Sequence, residues 1–181
     1  MTTATAITAG TWTIDPTHTE IGFSVRHIMS KVRGKFESFE STLTTADDVS
    51  ASAVTVDVEL SSINTGTADR DNHLRSADFF NVESHPKMSF TSTGVTVKGD
   101  NELVVSGDLT IKDVTKPFEL AVELLGEGGD PWGGTRLGVE ATGEISRKKF
   151  GIDFNIPLDG DKVMIGDKIT ITINAEYVLQ A

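Results

Sequence analysis

Apolar and polar residues alternate along most of the chain with a period of two. The clearest run is VTVDVEL at 54–60, in which valines and a leucine alternate with Thr55, Asp57 and Glu59. This period is typical of antiparallel strands with one wet face. Further runs of the same kind occur at 21–25, 103–111, 118–124, 137–145 and 169–179. Turn-forming residues at 98–101, 126–134 and 158–161 predict turns between strands. The pattern predicts an all-β protein whose apolar face is covered either by a second sheet, as in a sandwich, or by closure into a barrel.

One predicted strand changes phase near its middle. Val32 and Phe36 share one phase, whereas Phe39 and Leu43 take the opposite one. A β-bulge at 37–38 returns both sets to a common inward face, so we expect a bulge there.

Small residues also fall on the inward phase of two later strands, at Gly107, Ala141 and Gly143. Two explanations are open at this point. The glycines mark bends at barrel corners, or they leave space for a ligand, because an eight-stranded barrel is just wide enough to be filled or to hold one small molecule.

The connection RDNHLRSADFFNVESHPKMSF at 70–90 is unusually rich in charged and aromatic residues. Thr67 predicts a helix start, and the helix is expected over Ala68–Arg75. Phe79 and Phe80 diverge by about 100° in a helical turn, so one is predicted to point into the barrel and the other to lie beneath the helix. The polar residues Arg70, Asp71, His73 and Arg75 are predicted to form a charge-paired, hydrogen-bonded cluster that holds the helix against strand ends.

The same connection contains residue types that occur in catalytic and metal-binding sites. Asp69, Asp71 and His73 are spaced like the start of a calcium loop, but Leu74 and Phe80 occupy the positions that need glycine and glutamate. We therefore expect no metal. An acid–base pair of Asp71 and His73 stays open as the enzyme alternative. The chain has no nucleophile elbow, phosphate loop or dinucleotide-binding motif, so no catalytic residue and no cofactor are expected.

Composition narrows the class of partner. The net charge of −11 in 181 residues repels phosphate backbones, so no nucleic-acid partner is expected. Cysteine is absent, which excludes disulfides and thiolate chemistry. No apolar run approaches the roughly 20 residues of a membrane span, and the N-terminus does not resemble a signal peptide. The expected organisation is a flexible tail at 1–10 and one cytoplasmic domain at 11–181.

Six segments in a fixed order carry a family resemblance. They are WTIDPTHTEIGFSVRH at 12–27, VRGKFESFESTL at 32–43, the connection at 70–90, GDLTIKDVTKPFEL at 107–120, RKKFGI at 147–152 and DKITITINAEYVL at 167–179. The chain resembles the YceI family of polyisoprenoid-binding, lipocalin-like proteins. The resemblance implies an extended eight-stranded antiparallel barrel with a short helical insertion around 68–80. It also implies a non-catalytic carrier of a polyprenyl chain, an isoprenoid quinone or another long amphiphile, and a possible homodimer.

Strand phase and resemblance together predict the binding residues. The polar residues expected near the ligand head group, or in a structural cluster, are His27, Arg70 and His73. Asp15, His18 and Arg147 also match family motifs. The residues expected to line an apolar lumen are Phe23, Val25, Phe36, Phe39, Val56, Phe79, Phe80, Phe90, Leu109, Val139, Ile145 and Ile171.

Overall fold

The computed structural model describes residues 7–156, 158 and 164–180. Within these ranges the chain forms strands and one α-helix, α1 (Ala68–Arg75), together with short 3-10 turns. The strands are β1 (Gly10–Ile14), β2 (Glu20–His27), β3 (Ser30–Phe36), β4 (Phe39–Thr45), β5 (Ala53–Glu59), β6 (Ile63–Asn64), β7 (Lys87–Gly99), β8 (Glu102–Ile111), β9 (Val114–Gly129), β10 (Thr135–Ser146) and β11 (Ile165–Leu179).

The sheet closes on itself through β11. One side of β11 pairs with β10, and its other side pairs with β2 over 165–174 and with β1 over 177–179. The ring β1-β4-β5-β7-β8-β9-β10-β11 is therefore complete, and every pairing in it is antiparallel. The predicted eight-stranded antiparallel barrel is confirmed, and the sandwich alternative is wrong.

The lower end of the barrel has an extended wall. We call the end that carries α1 and the β2–β3 hairpin the lower end, and the end that carries β1 and the β9–β10 hairpin the upper end. Beyond β11 the sheet continues through β2, β3 and β6. The helix α1 follows β6 and contacts it.

The phase change at 37–38 is a break between strands and not a bulge. β3 ends at Phe36 and pairs with β2 and β6, whereas β4 begins at Phe39 and pairs with β1 and β5. Both phenylalanines are buried. The expectation of a common inward face was correct. The chain reaches it because β3 and β4 pair with different strands, β3 with β2 and β4 with β1. The turn Pro16–His18 separates β1 from β2.

Hydrogen bonds hold α1 against β6 as the sequence predicted. Arg75 donates from Nε to the carbonyl oxygen of Ser61 at 2.9 Å and from Nη2 to that of Ile63 at 3.1 Å. The buried carboxylate of Asp71 accepts a hydrogen bond from the Thr65 amide at 2.9 Å. Most of these partners are backbone groups, so the helix is held mainly by hydrogen bonds to strand ends and not by charge pairs.

The inward glycines do not leave space for a ligand. A Cβ atom at Gly107 would lie 2.6 Å from Cζ of Phe90, and one at Gly143 would lie 2.6 Å from Cζ of Phe118. Each glycine therefore lets a phenylalanine ring lie directly on the neighbouring strand. Ala141 alone of the three borders an interior cavity.

Two predicted turns are confirmed as hairpin connections, at 98–101 between β7 and β8 and at 126–134 between β9 and β10. The turn predicted at 158–161 lies mostly outside the described residues, as do residues 1–6 of the predicted tail. Ile7 packs against the core, and the Thr8 amide donates to Glu127 Oε1 at 2.7 Å. Within the described ranges, no helix has the length and apolar content needed to cross a membrane.

Candidate functional site

Two apolar cavities lie inside the barrel, one above the other. The lower cavity has a volume of about 190 Å³ and is bordered by α1 and by the β2–β3 hairpin. The upper cavity has a volume of about 100 Å³ and extends towards Leu137 and Tyr177. Ile21 lines both, so the two cavities are adjacent parts of one lumen.

Most residues predicted to line a lumen do so. Phe39 and Leu109 are the exceptions, because their side chains are buried in the core without bordering either cavity. The upper cavity is lined by Val56, Phe90 and Val139. The lower cavity is lined by Phe23, Val25, Phe36, Phe79, Phe80, Ile145 and Ile171. The period-two pattern located these positions because successive side chains of a strand point to opposite faces.

Phe79 and Phe80 both border the lower cavity. This position agrees with the prediction that both rings line the lumen. Phe79 is buried, and its ring centroid lies 5.3 Å from that of Phe154. Phe80 makes an edge contact with Phe36 at 6.2 Å. The two rings reach different walls of the same cavity, so together they form its boundary on the helix side.

Basic side chains are present in this apolar wall. His27, Arg70, His73 and Arg147 line the lower cavity. Arg70 donates from Nε and Nη2 to the hydroxyl and carbonyl oxygens of Thr65, both at 2.7 Å. The imidazole of His27 makes no hydrogen bond within the described part of the chain. The lower cavity thus combines apolar surface with a few donors, which is the usual composition of a small-molecule site.

Arg147 is the most deeply buried of these cations, with 3% of its surface exposed. It starts the turn Arg147–Phe150, which ends at Gly151 in the left-handed conformation with φ 77° that glycine adopts readily. Its guanidinium donates to the carbonyl oxygens of Gly166 at 2.8 Å and of Ile152 and Phe154, both at 2.9 Å. Burial lowers the pKa of Arg147, which nearby carboxylates partly offset. The side chain therefore joins the segment 152–154 to β11.

His73 and Asp71 do not form the acid–base pair that the enzyme alternative requires. His73 Nε2 lies 2.8 Å from Asp78 Oδ2, and its ring packs edge-on against Phe79 and Phe154, with centroids 5.0 Å apart in each case. The Asp71 carboxylate instead bonds Thr65. Each group has a different partner, so both act in positioning the helix.

A polar pair in the upper cavity was not predicted. The buried Tyr177 hydroxyl lies 2.7 Å from Ser41 Oγ, and Ser41 in turn donates to the carbonyl oxygen of Thr55 at 2.8 Å. Burial raises the pKa of Tyr177, and the hydrogen bond to Ser41 opposes that shift. The only sequence signal was Ser41 on the inward phase of β4. This pair gives the upper cavity a polar group of its own.

A second charged cluster lies outside the lumen, at Asp15, His18 and Glu176. Their ligand atoms lie within 4.8 Å of one another, as a metal site would require. Arg136 already donates to Asp15 Oδ2 at 2.7 Å and to Glu176 Oε2 at 3.4 Å, so a protein cation already lies beside both carboxylates. Hydrogen bonds from His18 and then from Arg136 lower the pKa of Asp15 to about 2. We interpret the cluster as an ion-pair network between β1, β10 and β11.

A closed eight-stranded barrel, with a helical insertion and an apolar lumen, defines a lipocalin-like protein. The family model of the YceI-like domain matches residues 12–177, and the chain belongs to this family. Protein YceI of Escherichia coli O157:H7 is 44% identical over 144 residues, which cover 78% of this chain and 73% of that protein. The resemblance inferred from the six segments is confirmed.

Two solved structures share the fold at low sequence identity. BcnA of Burkholderia cenocepacia is 16% identical with a TM-score of 0.80, and the match covers 90% of this chain and 98% of that one. A polyisoprenoid binding domain from Saccharophagus degradans is 15% identical with a TM-score of 0.69, covering 96% and 100% respectively. Both matches concern the architecture of the barrel.

Proposed function

We propose that this protein is a non-catalytic carrier that binds a long-chain amphiphile, such as a polyprenyl chain or an isoprenoid quinone, in its lumen. The observation that carries the proposal is the pair of adjacent apolar cavities that meet at Ile21. The polyisoprenoid binding domain from Saccharophagus degradans, which has the same fold, supports this choice of ligand.

Burial of the ligand's tail supplies the binding energy. Each methylene removed from water contributes about 0.8 kcal/mol, so a five-carbon isoprene unit contributes about 4 kcal/mol before the costs of association. Because burial of the apolar tail supplies most of the affinity, the ligand needs few polar contacts. The polar groups instead orient the head group, and His27 and Arg70 on the wall of the lower cavity suit this role.

The cavities are small for a long chain. An engineered apolar cavity of about 150 Å³ accommodates benzene, and the lower cavity is only somewhat larger at about 190 Å³. A long ligand must therefore pass from the lower cavity into the upper one and displace side chains between them. Ile21, which lines both, and the Phe79–Phe80 boundary are the groups expected to move.

Organic extraction of the natively purified protein, followed by mass spectrometry, tests the proposal. We expect a lipid in near-stoichiometric amount from the wild-type protein. Val25→Phe fills part of the lower cavity and is expected to reduce that amount. Val97→Phe is the matched control, because Val97 lies on β7 with 37% of its surface exposed and borders neither cavity. Equal lipid content in both variants, or none in the wild type, contradicts the proposal.

The dimer that the resemblance implies remains a separate prediction. Light scattering on the purified protein measures the molar mass directly. A mass close to twice 19.4 kDa is expected. The lumen lies inside a single barrel, so a monomeric mass contradicts the dimer and leaves the carrier proposal unaffected.

A further inference from the structure

An exposed apolar surface lies at the lower end of the barrel. At the tip of the β2–β3 hairpin, Met29 has 89% of its surface exposed and Ile28 has 42%. Ile156 is 45% exposed. Backbone hydrogen bonds connect these residues, because Ile28 N donates to Met164 O at 2.7 Å and Met164 N donates to Ile156 O at 3.0 Å. We call Ile28, Met29 and Ile156 the apolar tip.

The apolar tip adjoins the lower cavity. His27, directly before Ile28, lines that cavity, and so does Met164, which joins the two parts of the tip. Val32, on the returning strand of the hairpin, lines it as well. A ligand that enters the lumen from this end passes next to the exposed side chains.

The hairpin that carries Ile28 and Met29 is basic, although the protein as a whole is acidic. Segment 26–36 contains no aspartate or glutamate, in a chain of net charge −11. Its four cations are all exposed, and they are Arg26, Lys31, Arg33 and Lys35. Lys148 and Lys149 are also exposed, and they belong to the turn Arg147–Phe150. Arg147 of this turn donates to the carbonyl oxygen of Ile165, and Ile165 pairs with His27 of the hairpin.

The backbone at the tip is strained. Ile28 has φ 55°, in the left-handed region that β-branched residues rarely adopt. Glycine or asparagine at this position relieves the strain, yet the chain places a large apolar side chain there and exposes it. Strained residues of this kind concentrate at sites of function.

We infer that the lower end of the barrel docks on an anionic lipid surface, with the apolar tip entering the interface and the basic residues contacting head groups. Exposed apolar side chains flanked by lysine and arginine are the composition that binds such surfaces. Two copies meeting tip to tip bring their basic hairpins together, and like charges disfavour that arrangement. The charge of the hairpin therefore favours an anionic membrane over a second copy of this chain.

Co-sedimentation with lipid vesicles tests the inference. We expect binding to vesicles of phosphatidylcholine mixed with phosphatidylglycerol, weaker binding in high salt, and little binding to phosphatidylcholine alone. Arg33→Glu is expected to lower the partition coefficient at least about five-fold, since one cation near the surface contributes roughly that factor. Met29→Glu is expected to lower it as well, because it removes the most exposed apolar group.

Matched controls lie at the upper end. Trp132→Glu is the control for Met29→Glu, because Trp132 is an apolar side chain with 78% of its surface exposed on the β9–β10 loop. Lys98→Glu is the control for Arg33→Glu, because it makes a comparable charge change next to the β7–β8 turn. Both are expected to bind vesicles like the wild type. If all four variants lose vesicle binding, the more negative net charge explains the loss, and the inference is overturned. Absent wild-type binding, or a dimer that Met29→Glu dissociates, overturns it too.

The inference goes beyond the proposed function, and the two experiments separate them. Lipid content reports on the lumen, whereas vesicle binding by protein freed of lipid reports on the tip. Protein that yields no lipid but binds anionic vesicles through Met29 and Arg33 contradicts the carrier proposal alone. Protein that carries lipid and ignores vesicles contradicts the docking inference alone.

Discussion

Arg136 Nη1 donates a hydrogen bond of 2.7 Å to Asp15 Oδ2, across 121 positions of the sequence. The same guanidinium donates from Nε to Asp130 Oδ2 at 2.8 Å, and it lies over the ring of Trp132. Asp15 directly follows β1, and Arg136 lies on β10. The contact therefore ties the first strand to the opposite side of the closure at β11.

Asp15→Asn is expected to lower stability at neutral pH and not in strong acid. The folded-state pKa of Asp15 is about 2, below its ordinary value of 3.8. The carboxylate therefore stabilises the fold above about pH 4, and this contribution is lost as the pH falls towards 2. We expect a loss of about 1–2 kcal/mol at pH 7, allowing for solvent screening. Urea denaturation at several pH values measures it, and a pH-independent difference between variant and wild type contradicts it.

Gly107→Ala is expected to destabilise the barrel by about 1–3 kcal/mol, because the new Cβ overlaps the ring of Phe90 and the carbonyl oxygen of Thr91, 2.4 Å away. Gly94→Ala is the matched control. Gly94 is also in a strand, but nothing lies within 4 Å of a Cβ added there. Chemical denaturation compares the two. Equal effects on the free energy of unfolding argue against the ring contact as the reason for glycine at 107.

Arg147→Met is expected to cost about 2–4 kcal/mol, because it leaves the buried carbonyl oxygens of Ile152, Phe154 and Gly166 without their donor. Arg147→Lys is expected to recover little, since one ammonium group does not reproduce the planar fork of donors. Thermal denaturation measures both. Lys149→Met, at an exposed position of the same turn, is the control and is expected to leave the melting temperature nearly unchanged.

Phe79→Ala is expected to cost about 3–5 kcal/mol and to enlarge the lower cavity. A small aromatic compound such as benzene is then expected to stabilise the variant more than the wild type, because it occupies the vacated volume. Melting curves with and without benzene give the comparison. Leu125→Ala, at a position with 57% exposure, serves as the control and gains no benzene response. Identical benzene shifts in Phe79→Ala and wild type contradict a cavity-lining role for the ring.

Local signals in the sequence were sufficient for much of the fold. Period-two alternation identified the strands and most lumen-lining residues, because strand geometry fixes the direction of each side chain from its neighbours. The helix bounds Ala68–Arg75 also agreed with the structure, although the Thr67 side chain makes no capping hydrogen bond there. Closure into a barrel came from the family resemblance and not from periodicity, which fits a sandwich equally well.

Local sequence signals did not predict contacts between residues that are distant in the sequence. The contact of Gly107 with Phe90 depends on the register of β7 and β8, and the contact of Ser41 with Tyr177 depends on which strands β4 faces across the lumen. Arg136 carried no pattern that connects it to Asp15. Periodicity predicts which face of the sheet a residue occupies, but not which residue lies opposite it. The polar contacts of the site were therefore not predictable from the sequence pattern.

The pairing of β11 with β1, β2 and β10 has a consequence for synthesis of the protein. A ribosome produces β1 well before β11, yet the register Trp12–Leu179 joins them. The nascent chain therefore remains an open sheet, with its apolar face accessible to chaperones, until residues 165–179 have been translated. Closure is then a step between distant segments, which by contact order is slow. The interval before closure is when the interior is most accessible to a first ligand.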